Sequence, residues 1–229
     1  MSDPSRFFSP AIASILRETE LKLRGQIGSD HYAMYNYIRV ILGKIVRVDA
    51  FYVARLRGAD QLVYPYNYAD NHYENPDYHS IGTLGLNAWL LRERRTYRYS
   101  MDGGKLLHTG QAFGNAKLPS SDAVTTPIKP ANDNNAILGF MSMQSYEPDV
   151  YDDAAVAILE WMATTVGTVL MRNKEDARRA HELEAASDKA FDNVLSMAAL
   201  VTQIAELIGT IRVEVQALQD LIDTDLEAA

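Results

Sequence analysis

The fold is decided by Asp122-Ala-Val-Thr-Thr-Pro-Ile128, the turn Lys129-Pro-Ala-Asn-Asp-Asn-Asn135 and Ala136-Ile-Leu-Gly-Phe-Met-Ser-Met-Gln-Ser145. The first segment partly alternates apolar with small or polar residues, which predicts a strand with one face toward water. The middle segment is dense in residues that accept turn geometry, so the chain should reverse there. The third is apolar enough for a central strand, and Gly139 suits a place where a helix or a ligand approaches the backbone.

A long helix should follow this pair of strands. Residues 146–153 are rich in acidic side chains, which stabilise the positive end of a helix dipole. Beyond them, apolar residues recur at helical spacing and form one stripe that we expect to be buried: Val156, Leu159, Met162, Ala163, Val166, Val169 and Leu170.

The second strand and the helix start resemble the C-terminal half of a GAF domain. The stretch concerned is Ile137-Leu-Gly-Phe-Met-Ser-Met-Gln-Ser-Tyr-Glu-Pro148. Within it, Gly139, Gln144-Ser145 and Pro148 stand where that family usually has its glycine, its glutamine–serine pair and its proline.

Two earlier segments, Tyr64-Pro-Tyr-Asn-Tyr68 and Gly82-Thr-Leu-Gly85, also resemble the middle of GAF modules in bacterial signalling proteins. The resemblance covers about residues 10–172. It implies an α+β fold, with a GAF-like central antiparallel β-sheet flanked by helices. It also implies a sensory or regulatory role in signal transduction rather than catalysis.

Local signals organise the first 68 residues. A capping hydroxyl and a proline, Ser9-Pro10, should open a first helix, and Ser29-Asp30 should open a second. Residues 48–57, a turn at Gly58-Ala-Asp60 and residues 61–68 predict a β-hairpin.

The segments after the hairpin are less regular. Residues 69–80 are polar and aromatic, which indicates a surface loop or lid. Residues 83–92 predict a short helix and residues 96–99 a short strand. Residues 100–121 are glycine-rich and long for a loop, so we expect them to form a pocket wall or cover.

The C-terminal segment carries a sustained seven-residue repeat, which is typical of a left-handed supercoil between helices. We expect it to make a parallel homodimer. Its extra leucines, Leu200, Leu207 and Leu221, also allow a four-helix arrangement, and a helix folded back on its own domain is another alternative. The apolar positions of the repeat are Val194, Met197, Val201, Ile204, Ile208, Ile211, Val215, Leu218 and Ile222.

These patterns divide the chain into an N-terminal tail (residues 1–9), a GAF-like sensory domain (10–172) and a helical coiled-coil extension (173–229). A content of 47% hydrophobic and 23% charged residues is typical of a globular protein. A net charge of −8 argues against binding to nucleic acid, which needs a basic surface. The N-terminus lacks the features of a signal peptide and we count no run of about 18 apolar residues, so we expect a cytoplasmic protein without a membrane span.

The sequence offers no catalytic constellation. It contains no cysteine, no phosphate-binding loop and no nucleophile elbow, so we expect no enzyme activity. GAF-type methionine sulfoxide reductases and bilin photoreceptors depend on cysteine, and the signature of cyclic-nucleotide GAF domains is absent too. His72 and His79 share a loop with acidic residues, but a solvated loop explains them better than a metal site, and no cofactor can be named.

The resemblance also implies a ligand pocket on the open face of the sheet. By position its lining would be Tyr64, Tyr66, Tyr68, Leu84, Trp89, Thr125, Ser142 and Gln144. Alternation would place the three tyrosines on one face, and the mixture of rings and hydroxyls would suit a small flat or amphipathic ligand. The alternative is that these aromatics fill the interior. The domain would then be a non-catalytic dimerisation and protein-interaction scaffold that presents an acidic coil to a downstream signalling protein.

Overall fold

The computed structural model describes residues 8–25, 30–70, 72–74, 77–109, 119–133 and 135–227, with their side chains except those of 72–74 and 220–227. The chain divides into two units, Met1–Lys174 and Glu175–Ala229. The first contains every strand described, and the second is helical.

Five α-helices are described: α1 (Pro10–Gly25), α2 (His31–Ile45), α3 (Leu86–Glu93), the short α4 (Lys105–His108) and α5 (Asp153–Glu227). The first two begin where the sequence predicts. The Ser9 hydroxyl accepts a hydrogen bond from the Ile12 N–H at 3.4 Å, and the Asp30 carboxylate accepts one from the Ala33 N–H at 3.0 Å. These side chains satisfy backbone donors that the first helical turn leaves unpaired.

The strands form one antiparallel sheet in the order β3-β2-β1-β7-β6-β5, and β4 pairs with β2 as well. This confirms the predicted α+β architecture. The strand bounds are β1 (Ala50–Arg57), β2 (Gln61–Ala69), β3 (His72–Glu74), β4 (Asp77–Ser80), β5 (Tyr97–Arg98), β6 (Asp122–Ile128) and β7 (Gly139–Ser145).

One face of the sheet packs against α1, α2 and the first part of α5, and we call it the α5 face. Its apolar core joins Met141 and Met143 of β7 to Leu159, Met162 and other helix residues, all fully buried. Every residue of the stripe predicted for the long helix is buried there. Burial of such side chains is worth about 1.5–3 kcal/mol each, so this layer supplies much of the domain's stability.

Four local expectations need correction. Residues 69–80 are not wholly a loop, because they contain β3 and β4, which pair with β2 at the edge of the sheet. Strand β6 has no wet face, since all seven of its residues are buried between the two layers. Strand β7 begins at Gly139 rather than at residue 136. There the neighbouring strand, not a helix or a ligand, approaches the backbone: a Cβ on Gly139 would lie 2.0 Å from the Ala54 carbonyl oxygen.

The prediction that Tyr64, Tyr66 and Tyr68 share one face is also wrong. The pairing of β1 with β2 shifts by one residue between Val53 and Arg55, so that Ala54 of β1 lies opposite two residues of β2, Tyr64 and Pro65. Proline has no N–H to give to a ladder, so it favours such a bulge. As a result Tyr66 and Tyr68 join the core on the α5 face, while Tyr64 joins the core on the opposite face.

Two carboxylates hold the segment that leads into α5. The buried Asp122 accepts hydrogen bonds from the N–H groups of Val150 and Tyr151, both at 2.8 Å. Asp49 accepts hydrogen bonds from the Tyr146 N–H at 2.9 Å and from the Arg47 guanidinium at 2.8 Å. Burial alone would raise the pKa of Asp49, but these donors together hold it below its usual value. The segment that leads into α5 is therefore held at the ends of the interior strands β1 and β6.

Residues 175–219 of α5 present their apolar side chains to solvent, with Val194 62% and Ile208 60% exposed. Within the described part of this helix, Asp153–Gln219, one 18-residue window has a mean hydropathy of 1.7 and no buried residue. By length and composition it is apolar enough to cross a membrane. A count of consecutive apolar residues does not detect this window, because polar residues interrupt it.

Candidate functional site

The second face of the sheet, which packs against α3, carries its own core and is the candidate site. We call it the α3 face. Its buried apolar residues come from the sheet and from α3, and they are Tyr52, Ala54, Leu62, Tyr64, Leu86, Leu90, Tyr97 and Phe140. This face also buries a series of uncharged polar groups on neighbouring strands.

These polar groups form a row across five strands. Asn67 of β2 pairs with Tyr52 of β1, Tyr52 with Ser142 of β7, Ser142 with Thr125 of β6, and Thr125 with Tyr97 of β5. Residues paired across strands share a face, and all five are at most 5% exposed. The sheet register thus gathers one amide and four hydroxyls into one buried line, which we call the polar row. At its β5 end the Tyr97 hydroxyl donates to the Asp102 carboxylate at 2.7 Å.

Neighbouring side chains extend the polar row. The Thr125 and Ser142 hydroxyls lie 2.9 Å apart, and the Gln144 amide donates to the Ser142 hydroxyl at 3.4 Å. The Ser120 hydroxyl in turn donates to the Gln144 carbonyl oxygen at 2.6 Å. Burial raises the pKa of Tyr52, although hydrogen bonds with Ser142 and Thr125 act in the opposite sense. Its phenol is therefore neutral at physiological pH.

Asn67 is the exception in this network. Its side-chain oxygen is buried and has no hydrogen-bond partner among the described residues. A buried acceptor left without a donor costs about 1–3 kcal/mol, so such groups are rare and need an explanation. An N–H or O–H group of a ligand is one partner that would satisfy it.

The helix α3 is tied to this face through Tyr64. The Asn87 side chain donates to the Tyr64 hydroxyl at 3.0 Å, and burial raises the pKa of that hydroxyl. The Tyr64 ring also makes edge contacts with the rings of Tyr52 and His79, at centroid distances of 5.5 and 5.2 Å. Trp89 of α3 packs partly buried against the same core, with its ring 5.9 Å from that of Tyr97.

The structure brings together five of the eight predicted lining residues. Thr125, Ser142, Gln144, Tyr64 and Trp89 lie on the α3 face.

The other three lie elsewhere. Tyr66 and Tyr68 face the opposite core because of the bulge in β2. Leu84 is 82% exposed, because α3 begins only at Leu86 and leaves Leu84 in the preceding turn.

Sequence reasoning missed Tyr52, Asn67, Asn87, Tyr97 and Ser120. Only the pairing of β1 with β7, which are more than 80 residues apart in the chain, places Tyr52 beside Ser142. Alternation along the hairpin could have put Tyr52 and Asn67 on one face, but no local signal shows which face is polar. In the part of the chain that the structure describes, no group of three or more His, Cys, Asp or Glu side chains could hold a metal ion.

No family model matches the chain, and no curated protein matches it. Solved structures do match. The GAF domain of a phosphoenolpyruvate-protein phosphotransferase from Coxiella burnetii is 11% identical, covers 74% of this chain and 99% of its own, and gives a TM-score of 0.54. A structure named for a GAF sensor protein from Burkholderia vietnamiensis is 13% identical, with coverages of 72% and 91% and a TM-score of 0.51.

A third similar structure is an enzyme. It is the free methionine-R-sulfoxide reductase of Neisseria meningitidis in complex with its substrate, 12% identical, with coverages of 74% and 96% and a TM-score of 0.51. Together these similarities show that the chain has the GAF fold. At this level of identity they establish the fold and leave the activity to be argued from the residues.

Proposed function

We propose that this GAF-fold chain is a cytoplasmic sensor module of a signalling pathway, which binds a small neutral ligand on the α3 face and relays the bound state through a dimeric C-terminal helix. The observation that carries the proposal is the polar row, with the buried, unpartnered oxygen of Asn67 at one end. Two proteins of the same fold are consistent with it: one is named as a sensor, and one holds its substrate.

The chemistry of the polar row favours an uncharged ligand. It offers hydroxyls and amides, and the charged group bonded to it is the Asp102 carboxylate, which accepts from the Tyr97 hydroxyl at 2.7 Å. An anion placed against the row would therefore lose its hydration without a counter-charge. The free acceptor on Asn67 calls for an N–H or O–H donor. Edge contacts among Tyr52, Tyr64 and His79 supply ring surface for a flat molecule. A primary amide or a nucleobase meets these requirements.

The relay needs a connection from the polar row to α5. Two residues of the row, Tyr97 and Thr125, are each followed in the chain by a residue that takes part in such a connection. Tyr97 precedes Arg98, whose guanidinium donates to Asp153 in the first turn of α5 and, at 3.4 Å, to the Tyr151 carbonyl. Thr125 precedes Thr126, whose hydroxyl lies 2.9 Å from that of Thr96. Thr96 in turn donates to Glu160 of α5. A ligand that shifts β5 or β6 would therefore shift the start of α5.

A relay of this kind also requires that the ligand bind two states of the helix unequally. The relay also requires a paired helix that carries the change onward. The exposed apolar stripe of residues 194–218 meets this requirement, because it needs a partner helix. A second copy of the chain provides that partner in our proposal. Rotation or register change of a helix pair is a known route for switching.

The second candidate function is a scaffold without a ligand. The observation in its favour is that most hydroxyls of the polar row already have partners. Ser142 and Thr125 bond each other, Gln144 donates to Ser142, and the Tyr97 hydroxyl donates to Asp102, so these groups do not require a ligand. The dimeric helix would then present its acidic surface to a downstream protein. Neither candidate assigns a chemical step to the chain, which has no cysteine to act as a nucleophile.

Replacement of Asn67 by leucine separates the two candidates. Asn67→Leu removes an unpartnered buried acceptor at similar volume, so we expect the free energy of unfolding to rise by about 1 kcal/mol. Thermal unfolding would be followed with nicotinamide and with nicotinate, which share a ring and differ in an amide against a carboxylate, and with a panel of nucleobases.

We expect a neutral, donor-bearing probe to raise the Tm of the wild type and of the control Gln61→Leu, which alters an exposed residue of the same strand. The same probe should leave Asn67→Leu unchanged. If no such probe shifts the Tm, or if nicotinate acts as strongly as nicotinamide, the sensor proposal is wrong and the scaffold is favoured.

A further inference from the structure

The exposed apolar surface of the chain is concentrated in one helix. Fourteen of the twenty large apolar side chains that are exposed in the described residues belong to residues 175–219. The remaining six are scattered over the sheet-bearing unit, as is normal for a soluble surface. A contiguous apolar stripe of this kind marks an association site.

The stripe is wider than a two-stranded coil needs. In the heptad notation abcdefg, Val194, Val201 and Ile208 take position a, and Met197, Ile204 and Ile211 take position d. The flanking g positions hold leucines, Leu200 and Leu207, and the flanking e positions hold alanines, Ala198 and Ala205. A two-stranded seam uses a and d, whereas bundle helices bury a, d and further e or g positions.

Exposure values support treating the leucines as part of the stripe. Leu200 is 57% and Leu207 63% exposed, which matches Ile204 at 55% and Ile208 at 60%. Isoleucine at both a and d, as at Ile208 and Ile211, also favours assemblies of more than two helices. A dimer that buried only the a and d residues would leave Leu200 and Leu207 of each chain in water, together with Leu195 at position b.

We propose that two parallel tail dimers associate through Leu200 and Leu207 into a four-helix bundle over residues 194–211, so that the chain is a tetramer. This rests on the dimeric tail of the proposed function. In a parallel arrangement each g residue faces the e residue five positions later in the neighbouring copy. Leu200 then lies opposite Ala205, a large residue against a small one, which lets the helices approach closely.

Charge complementarity favours copies of this chain as the occupants. Across the same parallel interface Arg179 at g faces Glu184 at e of the next copy, and none of the g–e pairs from residue 179 to residue 219 brings like charges together. The single charged residue of the window 194–211, Glu206, takes position f on the outside. Positions a, d, e and g within 194–211 therefore carry no charge, and the e residue that faces Leu207, Arg212, lies just beyond this window at the end of the bundle.

A lipid bilayer fits the same window less well. Ser196, Thr202, Gln203, Glu206 and Thr210 fall at positions b, c and f, so the side opposite the apolar stripe is mostly polar. The other residues at these positions are Leu195, Ala199 and Gly209. A span that faces lipid is apolar all round. The two-sided pattern is the one expected of a bundle helix in water.

The test is sedimentation equilibrium of the full chain and of two variants. The 25.6 kDa chain should sediment as four copies. The pair Leu200→Gln and Leu207→Gln should reduce it to two copies, with unchanged helix content by circular dichroism. The control Val213→Gln changes an exposed apolar residue at an outer f position and should remain a tetramer.

The outcomes distinguish this inference from the proposed function. A wild type that sediments as a dimer, whether or not the leucine variant changes it, overturns the bundle and leaves the dimeric relay standing. A wild type that sediments as a single chain overturns both. Flotation of the wild type with phosphatidylcholine vesicles, lost in the leucine variant, would assign the window to lipid and overturn the bundle as well.

Discussion

Exchanging Ile204 and Ile211 together for asparagine should convert the assembled protein into single chains. Both side chains occupy d positions of the apolar stripe and are 55% and 58% exposed in the isolated chain, so their burial must come from a partner helix. Burial of an isoleucine is worth about 1.5–3 kcal/mol. Two such losses in each of two chains amount to about 6 kcal/mol or more, which weakens association by about 10⁴-fold at ~1.4 kcal/mol per factor of ten.

Sedimentation velocity across a concentration series measures this directly. The matched control is Ser196→Asn with Gln203→Asn, which places the same residue type on the polar side of the same helix and should leave the mass unchanged. Because the change lies outside the sheet-bearing unit, thermal unfolding of that unit should be retained. An isoleucine variant that assembles as tightly as the wild type would show that the stripe has another role.

The largest loss of stability is expected for Gly139→Ala. Gly139 has a φ of 156° and starts β7, and an added Cβ would lie 2.0 Å from the Ala54 carbonyl oxygen and 3.0 Å from the Arg55 Cα. Both contacts are with backbone atoms, which cannot rotate away as a side chain can. To relieve the clash, β1 and β7 must separate at the centre of the sheet. We expect the free energy of unfolding to fall by about 3 kcal/mol or more, the range of severe packing and strain defects.

Urea unfolding of the purified chain gives this value. Gly209→Ala is the control, because that glycine lies in α5 with nothing within 4 Å of its Cβ position. Alanine there should be neutral or should favour the helix by about 1 kcal/mol. Equal stability of the Gly139→Ala variant and the wild type would contradict the close approach of the two strands.

The elements that follow from a local residue pattern could be predicted from the sequence. The α5 stripe from Val156 to Leu170 follows one helical period, and the hairpin of β1 and β2 is set by Gly58-Ala-Asp60, so both could be predicted. The acidic start of α5 was readable too. The contact that holds this segment could not be predicted. Asp122 accepts a hydrogen bond from the Val150 N–H, and the two residues are 28 positions apart in the chain.

The residues of the candidate site could be predicted only in part, because their positions depend on the register between strands that are distant in the chain. Thr125, Ser142 and Gln144 could be listed from their own strands, whereas Tyr52 joins them only through the pairing of β1 with β7. A one-residue bulge beside Pro65 was enough to send Tyr66 and Tyr68 to the opposite face from Tyr64. Such a shift reverses every side chain beyond it, and no periodicity count reveals it.

The central claim is that the tail pairs with a second copy in parallel and in register, so that a change at the start of α5 can reach it. Disulfide cross-linking of single-cysteine variants tests this most directly, because the chain has no cysteine of its own. A disulfide needs Cα atoms within about 7 Å, and in a parallel, in-register assembly the identical seam positions a and d meet this condition whereas the outer position f does not. Our account predicts that Leu183→Cys, at d, forms covalent dimers under mild oxidation while Glu206→Cys, at f, does not. Absence of the Leu183→Cys dimer, or equal cross-linking at both positions, would contradict it.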